Sequence, residues 1–200
     1  MEKTKKILSA LIYFTILSLT ISSCKKQNNN PSSASTSSTL IVPLKIGNQW
    51  NLRSINYVQH IDTSYYSNVV VDDTTIANIK WYIQISNGTD RVPWLNMSDG
   101  LHYYNTHMHQ SYLSYKYPAQ VNDSYYDSYY HDSLKVLSIN FNVTVPAGAF
   151  YCYKYLDRGP LGPSDSTIIY VSPGFGFIKA EQYFNGINTT LVELISYHLN

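Results

Sequence analysis

Apolar and polar residues alternate along much of the chain after residue 40, which is the period of a half-buried β-strand. Between Ile79 and Ile85 every odd position is apolar, and the positions between them are polar or amphipathic. A later run repeats this pattern, with small polar residues between apolar residues on one predicted face, namely Leu137, Ile139, Phe141, Val143 and Val145. The pattern predicts strands that bury one face and expose the other.

Turn signals stand where such strands should reverse. Asn87-Gly88, Asp99-Gly100 and Asn185-Gly186 each suit a two-residue type I′ turn, whose central residues both need positive φ. We find no convincing amphipathic helix pattern, and the good strand formers Tyr, Thr, Val and Ile are abundant. The sequence therefore predicts an all-β fold, a single antiparallel domain over residues 40–200. About ten strands are expected, as a curved sheet, a half-barrel or a sandwich.

Residues 1–23 have the character of a signal peptide. Three lysines precede an apolar run, Ile7 to Ile21, that is too short for a comfortable membrane span. The run ends in Ile21-Ser22-Ser23-Cys24, which resembles the lipobox of bacterial lipoproteins. That resemblance implies removal of the signal peptide and acylation of Cys24, with palmitate as one of the chains. The alternative is an ordinary secreted protein that keeps a free Cys24.

The stretch 24–39 predicts a flexible tether. It is polar and rich in Ser and Thr, so it cannot form a core, and its average span would be roughly 20–25 Å. Lys25-Lys26-Gln27 lacks the acidic cluster that directs some lipoproteins to the cell surface. We therefore expect a lipid-anchored protein of the bacterial cell envelope, on the outer membrane and facing the periplasm.

The charge of the chain argues against a nucleic-acid-binding protein, and its cysteine content argues against a disulfide-stabilised one. Loss of the signal peptide removes three lysines and one glutamate, which changes the net charge from +1 to −1. No basic stripe is left to bind a phosphate backbone, so nucleic acid is not an expected partner. If Cys24 is acylated, Cys152 has no partner for a disulfide, and its place in a strand-like run predicts a buried, inert thiol.

Three segments resemble the landmarks of an uncharacterised group of secreted lipoproteins from Gram-negative bacteria. The segments are Pro43 to Trp50, with the pattern PLxxGNxW, Val145 to Phe150, with VPAGxF, and Pro173 to Glu181, with PGxGxIKxE. Some members of that group are similar to the half-barrel lipoprotein carriers of the periplasm. The resemblance implies a β fold and an envelope location, and it carries no activity.

Tyrosine is the second unusual feature, with 20 residues in the chain. Paired tyrosines on a strand point to opposite faces, so one ring can enter the core while the other faces solvent. Exposed rings could stack on sugars or on a partner's backbone; the alternative is that tyrosine is simply a good strand former. The near-repeat Asp-Ser-Tyr-Tyr predicts a polar loop with exposed aromatics. The predicted ligand-binding residues are Tyr103, Tyr104, Tyr125, Tyr126, Tyr129 and Tyr130.

Metal and catalytic motifs are weak or absent in the sequence. His107 and His109 would share one face of a strand, with His102 and His131 as possible additions, but a zinc site needs three or four ligands. Asp123, Asp127 and Asp132 lack the spacing of a calcium loop. No nucleophile elbow, zinc-protease motif or phosphate loop is present, so we expect no cofactor, no catalytic residue and no enzyme activity.

Three functions fit these observations. The first is a non-catalytic binding or structural module that uses an aromatic face to bind another envelope protein or a glycan. The second is a carrier that encloses a lipid or another apolar ligand within the curved sheet. The third is a hydrolase of glycans or envelope polymers, which needs converging carboxylates. The sequence favours the first function and does not indicate an oligomeric state.

Overall fold

The computed structural model describes residues 40–58, 61–159 and 164–200, and these residues form β-strands joined by turns and loops. The predicted signal peptide, tether and lipidation site Cys24 lie outside the described residues. None of the described segments is a helix long and apolar enough to cross a bilayer. The chain is therefore all-β where it is described, as the alternating pattern predicts.

Among the described residues, 12 strands form one antiparallel, nearly closed, barrel-like sheet. This confirms the predicted fold class and single domain, excludes a two-sheet sandwich, and exceeds the predicted number of strands. The strands are β1 Gln49–Asn56, β2 Asp62–Ile76, β3 Ile79–Ser86, β4 Asp90–Met97, β5 Gly100–Asn105, β6 Gln110–Lys116, β7 Ser124–Asp127, β8 Asp132–Val145, β9 Gly148–Arg158, β10 Asp165–Ser172, β11 Gly176–Phe184 and β12 Ile187–His198.

The sheet consists of two meanders that meet in its middle. Its order is β6-β5-β4-β3-β2-β1-β12-β11-β10-β9-β8-β7, so the first and last strands of the chain pair with each other. Trp50 of β1 lies opposite Tyr197 of β12, for example. The two edges of the sheet, β6 and β7, come from the middle of the chain and approach each other without forming a strand pair.

The core fills the concave side of this sheet. Leu52, Val70, Val171, Ile178 and Leu194 come from five different strands, and none is more than 1% exposed. Residues 40–48 precede the first strand and pack into the same core through Ile41, Val42 and Leu44. The strands that surround this core turn apolar side chains inwards, which is the arrangement that an alternating pattern requires.

The long run in β8 differs from its prediction. Val143 and Val145 are buried, but Ile139 and Phe141 are 44% and 40% exposed. Pairing with β9 shifts register between Val136 and Ser138 and again between Ser138 and Phe141. A β-bulge adds an unpaired residue and reverses which face the following residues occupy. The apolar positions of β8 are therefore divided between the core and the outer surface.

Two of the three predicted turns have the expected backbone. Asn87-Gly88 and Asn185-Gly186 have positive φ at both residues. Asp99-Gly100 does not form such a turn, because Gly100 begins β5 with a φ of 144° and the reversal lies at residues 98–99. A further turn with two positive φ values, Ala77-Asn78, has no glycine and carried no turn signal in the sequence.

Candidate functional site

The sheet has two ends with different chemistry. Residue 40 enters at the end where β1, β3, β5, β7, β9 and β11 begin, and we call this the N-terminal end. The turns after β1, β3, β5, β7, β9 and β11 lie at the other end. We call this the tyrosine end, because Tyr129 and Tyr130 stand there in the turn after β7 and are 38% and 56% exposed.

Asp127 is the centre of the hydrogen bonding at the tyrosine end. It ends β7 and is 6% exposed. Its carboxylate accepts a hydrogen bond of 2.9 Å from the Tyr103 hydroxyl and bonds of 2.8 and 3.3 Å from the backbone N–H groups of Tyr129 and Tyr130. The carboxylate thereby fixes the turn that carries the two exposed rings.

Aromatic rings from four elements meet around this carboxylate. Tyr103 stacks on Tyr112 with ring centroids 5.4 Å apart, and it also contacts Trp94 and Tyr130 at 5.8 and 5.9 Å. Tyr129 contacts Tyr112 at 5.6 Å and Tyr130 edge-on at 4.8 Å. The buried rings support the exposed ones, so the outer faces of Tyr129 and Tyr130 are held in place by packing.

Further carboxylates lie near Asp127. A Cβ placed at Gly159 would lie 2.7 Å from an Asp165 carboxylate oxygen and 3.8 Å from one of Asp132, so these two side chains face the same backbone position. Burial, and then the negative charges of Asp132, Asp127 and Asp165, raise the pKa of Asp157 to about 7. Burial also raises the pKa of Asp132. Four aspartates therefore converge at the tyrosine end.

Two further tyrosines close the gap between the sheet edges. The Tyr125 hydroxyl donates to the Ser114 carbonyl at 2.8 Å and accepts from the Lys116 N–H at 3.4 Å. The Tyr155 hydroxyl donates to the Lys116 carbonyl at 2.9 Å. These hydroxyls satisfy backbone groups on β6 that a neighbouring strand would otherwise bind. We call this arrangement of Ser114, Lys116, Tyr125 and Tyr155 the seam.

The predicted binding tyrosines therefore divide into three groups. Tyr103, Tyr129 and Tyr130 form the site at the tyrosine end. Tyr125 is a structural residue of the seam, and burial raises the pKa of its hydroxyl strongly. The prediction of a polar loop over the Asp-Ser-Tyr-Tyr repeat is wrong for its first half, because Ser124–Asp127 is strand β7.

Tyr126 and Tyr104 point away from the site. Tyr126 is 60% exposed, and its hydroxyl lies 3.0 Å from Nδ1 of His131. Tyr104 packs against Trp81 with ring centroids 5.5 Å apart, and it neighbours Tyr103 on the strand, so it faces the opposite side of the sheet.

The histidines named as weak metal candidates do not converge, and Asp123 lies apart from Asp127 and Asp132. His107 and His109 lie in the exposed turn after β5, while His102 bonds Asp99 at the N-terminal end. Asp123 also lies at that end, where it pairs with Lys116 at 3.0 Å, across the length of β7 from Asp127. Within the part of the chain that the structure describes, no three His, Cys, Asp or Glu side chains are arranged to hold a metal ion.

Sequence reasoning did not identify Trp94, Asp157 or Asp165 as site residues. Asp157 continues the alternation of Tyr153 and Tyr155 on β9, so it occupies an inward position that normally takes an apolar residue. The sequence signal that could have identified Asp157 is an acidic residue at a position of the alternating pattern that normally takes an apolar side chain. Asp132 and Asp165, whose negative charges help to raise the pKa of Asp157, lie on other strands.

The interior leaves little space for a ligand. A partly open cavity among the described residues measures about 120 Å³ and is lined by both apolar and amide side chains, including Trp50, Asn68, Gln84, Trp94 and Phe177. Pockets for small-molecule ligands are typically about 300–1,000 Å³. A larger, open groove lies outside, beside Tyr65, Asn51 and Ser196, and holds none of the aspartates.

Two of the solved structures that are similar to this chain are bacterial proteins. One is a candidate lipoprotein of Parabacteroides distasonis, which is 15% identical, covers 80% of this chain and 99% of its own, and has a TM-score of 0.44. The other is a candidate exported protein with a YmcC-like fold from Bacteroides fragilis, at 14% identity, 80% and 100% coverage and a TM-score of 0.44. No protein-family model and no curated protein matches this chain.

Proposed function

We propose that this protein is a lipid-anchored module of the bacterial cell envelope that binds a glycan at the tyrosine end. The observation that carries the proposal is the pair of exposed rings, Tyr129 and Tyr130, fixed beside a group of carboxylates. Ring faces pack against the C–H faces of sugars, and carboxylate oxygens accept hydrogen bonds from sugar hydroxyls. Both kinds of contact are available on one surface.

The position of this surface suits an anchored protein. Residue 40 lies at the N-terminal end, where the Leu40 carbonyl accepts a hydrogen bond of 2.9 Å from Gly174. A tether from an acylated Cys24 would therefore attach at the end opposite Tyr130. The binding surface would face away from the point of attachment, towards the polymers and proteins of the envelope.

The small interior supports a binding module over a carrier. A cavity of about 120 Å³ is several times smaller than an acyl chain requires, and amide groups form part of its lining. Residues 40–48 also pack Ile41, Val42 and Leu44 into the core, which reduces the space for an apolar ligand.

A binding assay with matched variants tests the proposal. Detergent-solubilised full-length protein is titrated with purified envelope glycan from a Gram-negative host. Tyr129→Ser with Tyr130→Ser should weaken binding about tenfold, since each lost ring contact is worth about 0.5–1.5 kcal/mol. Tyr151→Ser is the control, because that ring is 56% exposed on β9 and lies outside the site. Equal affinity of all three proteins would contradict the proposal.

The converging aspartates support a second candidate, hydrolysis of the bound glycan. Burial raises the pKa of Asp157 to about 7, so a substantial fraction of this carboxyl keeps its proton near neutral pH, as a general acid must, and Asp132 is close enough to contribute to the shift. New reducing ends should then appear when glycan is incubated with the protein, and Asp157→Asn should abolish them. Glycan that binds and is recovered intact would leave the binding module as the function.

A further inference from the structure

An open groove lies on the outer face of the sheet, over β1, β2 and β12. Trp50 and Leu52 of β1 are 3% and 1% exposed, so Asn51 between them faces outwards. Asn51 lies opposite Ser67 of β2 and Ser196 of β12, and these three residues line the groove. Its volume of about 620 Å³ is within the usual range for a ligand site, whereas the interior cavity measures about 120 Å³. We call it the outer groove.

A β-bulge and a turn shape the outer groove. β1 and β12 shift register between Asn51 and Leu52, which leaves Ile195 of β12 without an opposite residue on β1. Bulges bend a strand and redirect its side chains, and they are common next to active sites. The turn after β3 forms one wall, where the Asn87 N–H donates a hydrogen bond of 3.1 Å to the Ser67 carbonyl. Two irregular features of the sheet therefore make the groove.

Tyr65 supplies an aromatic ring at the outer groove. It stands on β2 two residues before Ser67, so the two side chains share the outer face of the sheet. The Tyr65 side chain is 66% exposed. An exposed ring beside a groove offers its face to the C–H groups of a sugar.

Amide and hydroxyl groups lie beside this ring, and hydrogen bonds orient two of them. The Asn51 Oδ1 atom accepts a hydrogen bond of 2.7 Å from the Gln49 amide, and Asn51 Nδ2 donates one of 2.9 Å to the Ser196 hydroxyl. The Ser196 hydroxyl therefore accepts from Asn51, and its own hydrogen remains available to an acceptor. Asn87 adds a second amide at the wall of the groove. Sugar hydroxyls both donate and accept, so they match amides and hydroxyls.

The charges near the outer groove are neutralised within the protein. Arg53, which lies opposite Tyr65, donates a hydrogen bond of 2.6 Å from Nε to the Glu193 carboxylate. The residues that line the groove are all uncharged. A charged ligand would lose its hydration here without gaining an opposite charge. The ring, the amides and the hydroxyls together match a neutral sugar.

We propose that the outer groove is a second carbohydrate site, which takes a neutral sugar unit with its C–H face on Tyr65 and its hydroxyls bound to Asn51, Asn87 and Ser196. The groove lies on the middle strands of the sheet, whereas Tyr129 and Tyr130 follow β7 at its edge. It also holds none of the aspartates of the tyrosine end. The proposal therefore does not depend on glycan binding or hydrolysis at the tyrosine end.

Titration of full-length protein with uncharged trisaccharides tests the proposal. The protein is solubilised in a detergent without a sugar headgroup, and it carries Tyr129→Ser and Tyr130→Ser so that the tyrosine end does not contribute. The probes are trisaccharides of glucose, galactose, mannose and N-acetylglucosamine, and calorimetry measures their binding. At least one probe should bind with a stoichiometry of one. Adding Tyr65→Ala should then weaken that binding about threefold to tenfold, because the ring face is lost.

Matched variants in the same background separate binding from folding. Tyr65→Phe should keep the affinity, because the ring face remains. Tyr151→Ala should also keep it, because that ring is 56% exposed on β9 and lies outside the groove. Asn51→Ala should weaken binding at least threefold, because it removes an amide and releases Ser196. Failure of every trisaccharide to bind, or equal affinities of Tyr65→Ala and Tyr151→Ala, would overturn the outer groove as a sugar site, whatever the result at the tyrosine end.

Discussion

The hydroxyl of Tyr103 donates a hydrogen bond of 2.9 Å to the carboxylate of Asp127, which joins β5 of one meander to β7 of the other. The two strands lie on opposite sides of the gap where the sheet does not close. The same carboxylate also holds the turn of Tyr129 and Tyr130. One aspartate thus links closure of the sheet to the shape of the candidate site.

This link predicts a difference between two adjacent tyrosines. Tyr103→Phe should lower the free energy of unfolding by about 1.5–3 kcal/mol, because a buried charge loses a donor. Tyr104→Phe should change it by less than about 0.5 kcal/mol, since its hydroxyl has no hydrogen-bond partner among the described residues. Urea unfolding measures both. Equal effects would show that the Tyr103 hydroxyl does not join the two edges.

The seam predicts coupling between Tyr125 and Tyr155. Their hydroxyls bind the N–H and C=O of the same residue, Lys116. Tyr125→Phe and Tyr155→Phe should each destabilise the protein by about 1–3 kcal/mol, because each leaves a backbone group on β6 without its partner.

A double-mutant cycle measures the coupling between these two positions. The double variant should differ from the sum of the single variants by more than about 0.5 kcal/mol. Tyr65→Phe is the control, because that ring is 66% exposed. Strict additivity would mean that the two hydroxyls act independently.

The raised pKa of Asp157 predicts that the free energy of unfolding depends on pH. Its pKa is raised to about 7 in the folded protein, so folding favours the protonated form. The stability that this preference contributes is complete below the unfolded pKa of about 4 and is lost as the pH rises towards 7. Burial raises the pKa of Asp132 in the same direction.

Denaturant midpoints at several pH values check this expectation. The wild-type midpoint should fall between pH 4.5 and 7.5, and Asp157→Asn should reduce that fall, because an amide does not titrate. Asp62→Asn, at an exposed position on β2, should keep the wild-type dependence. An unchanged slope in Asp157→Asn would assign the pH dependence to other groups.

Two glycines should respond differently to an added methyl group. At Gly100, φ is 144° and a Cβ would lie 2.0 Å from the Tyr115 carbonyl oxygen. Gly100→Ala should therefore cost more than about 3 kcal/mol. At Gly88 a Cβ meets nothing within 4 Å, so Gly88→Ala should cost only about 1 kcal/mol, for its positive φ. Thermal or urea unfolding of the two variants measures the difference.

The alternation of Trp81 and Ile83 was sufficient to predict a strand with one apolar face, and both residues are buried. The same reasoning failed in β8, because a bulge changes which face is buried and depends on pairing with β9. Paired Tyr103 and Tyr104 do face opposite ways, as strand geometry requires. Contacts with residues distant in the chain decide which of these two tyrosines belongs to the site.

The sequence by itself determined the strand class, two of the turns and the tyrosine-rich character of this protein, because these follow from local period and composition. Only the tertiary structure decided that β1 pairs with β12, that Tyr125 and Tyr155 close a seam, and that Asp157 meets Asp132 and Asp165. Strand order and register are set by contacts between distant residues, which a local pattern does not encode.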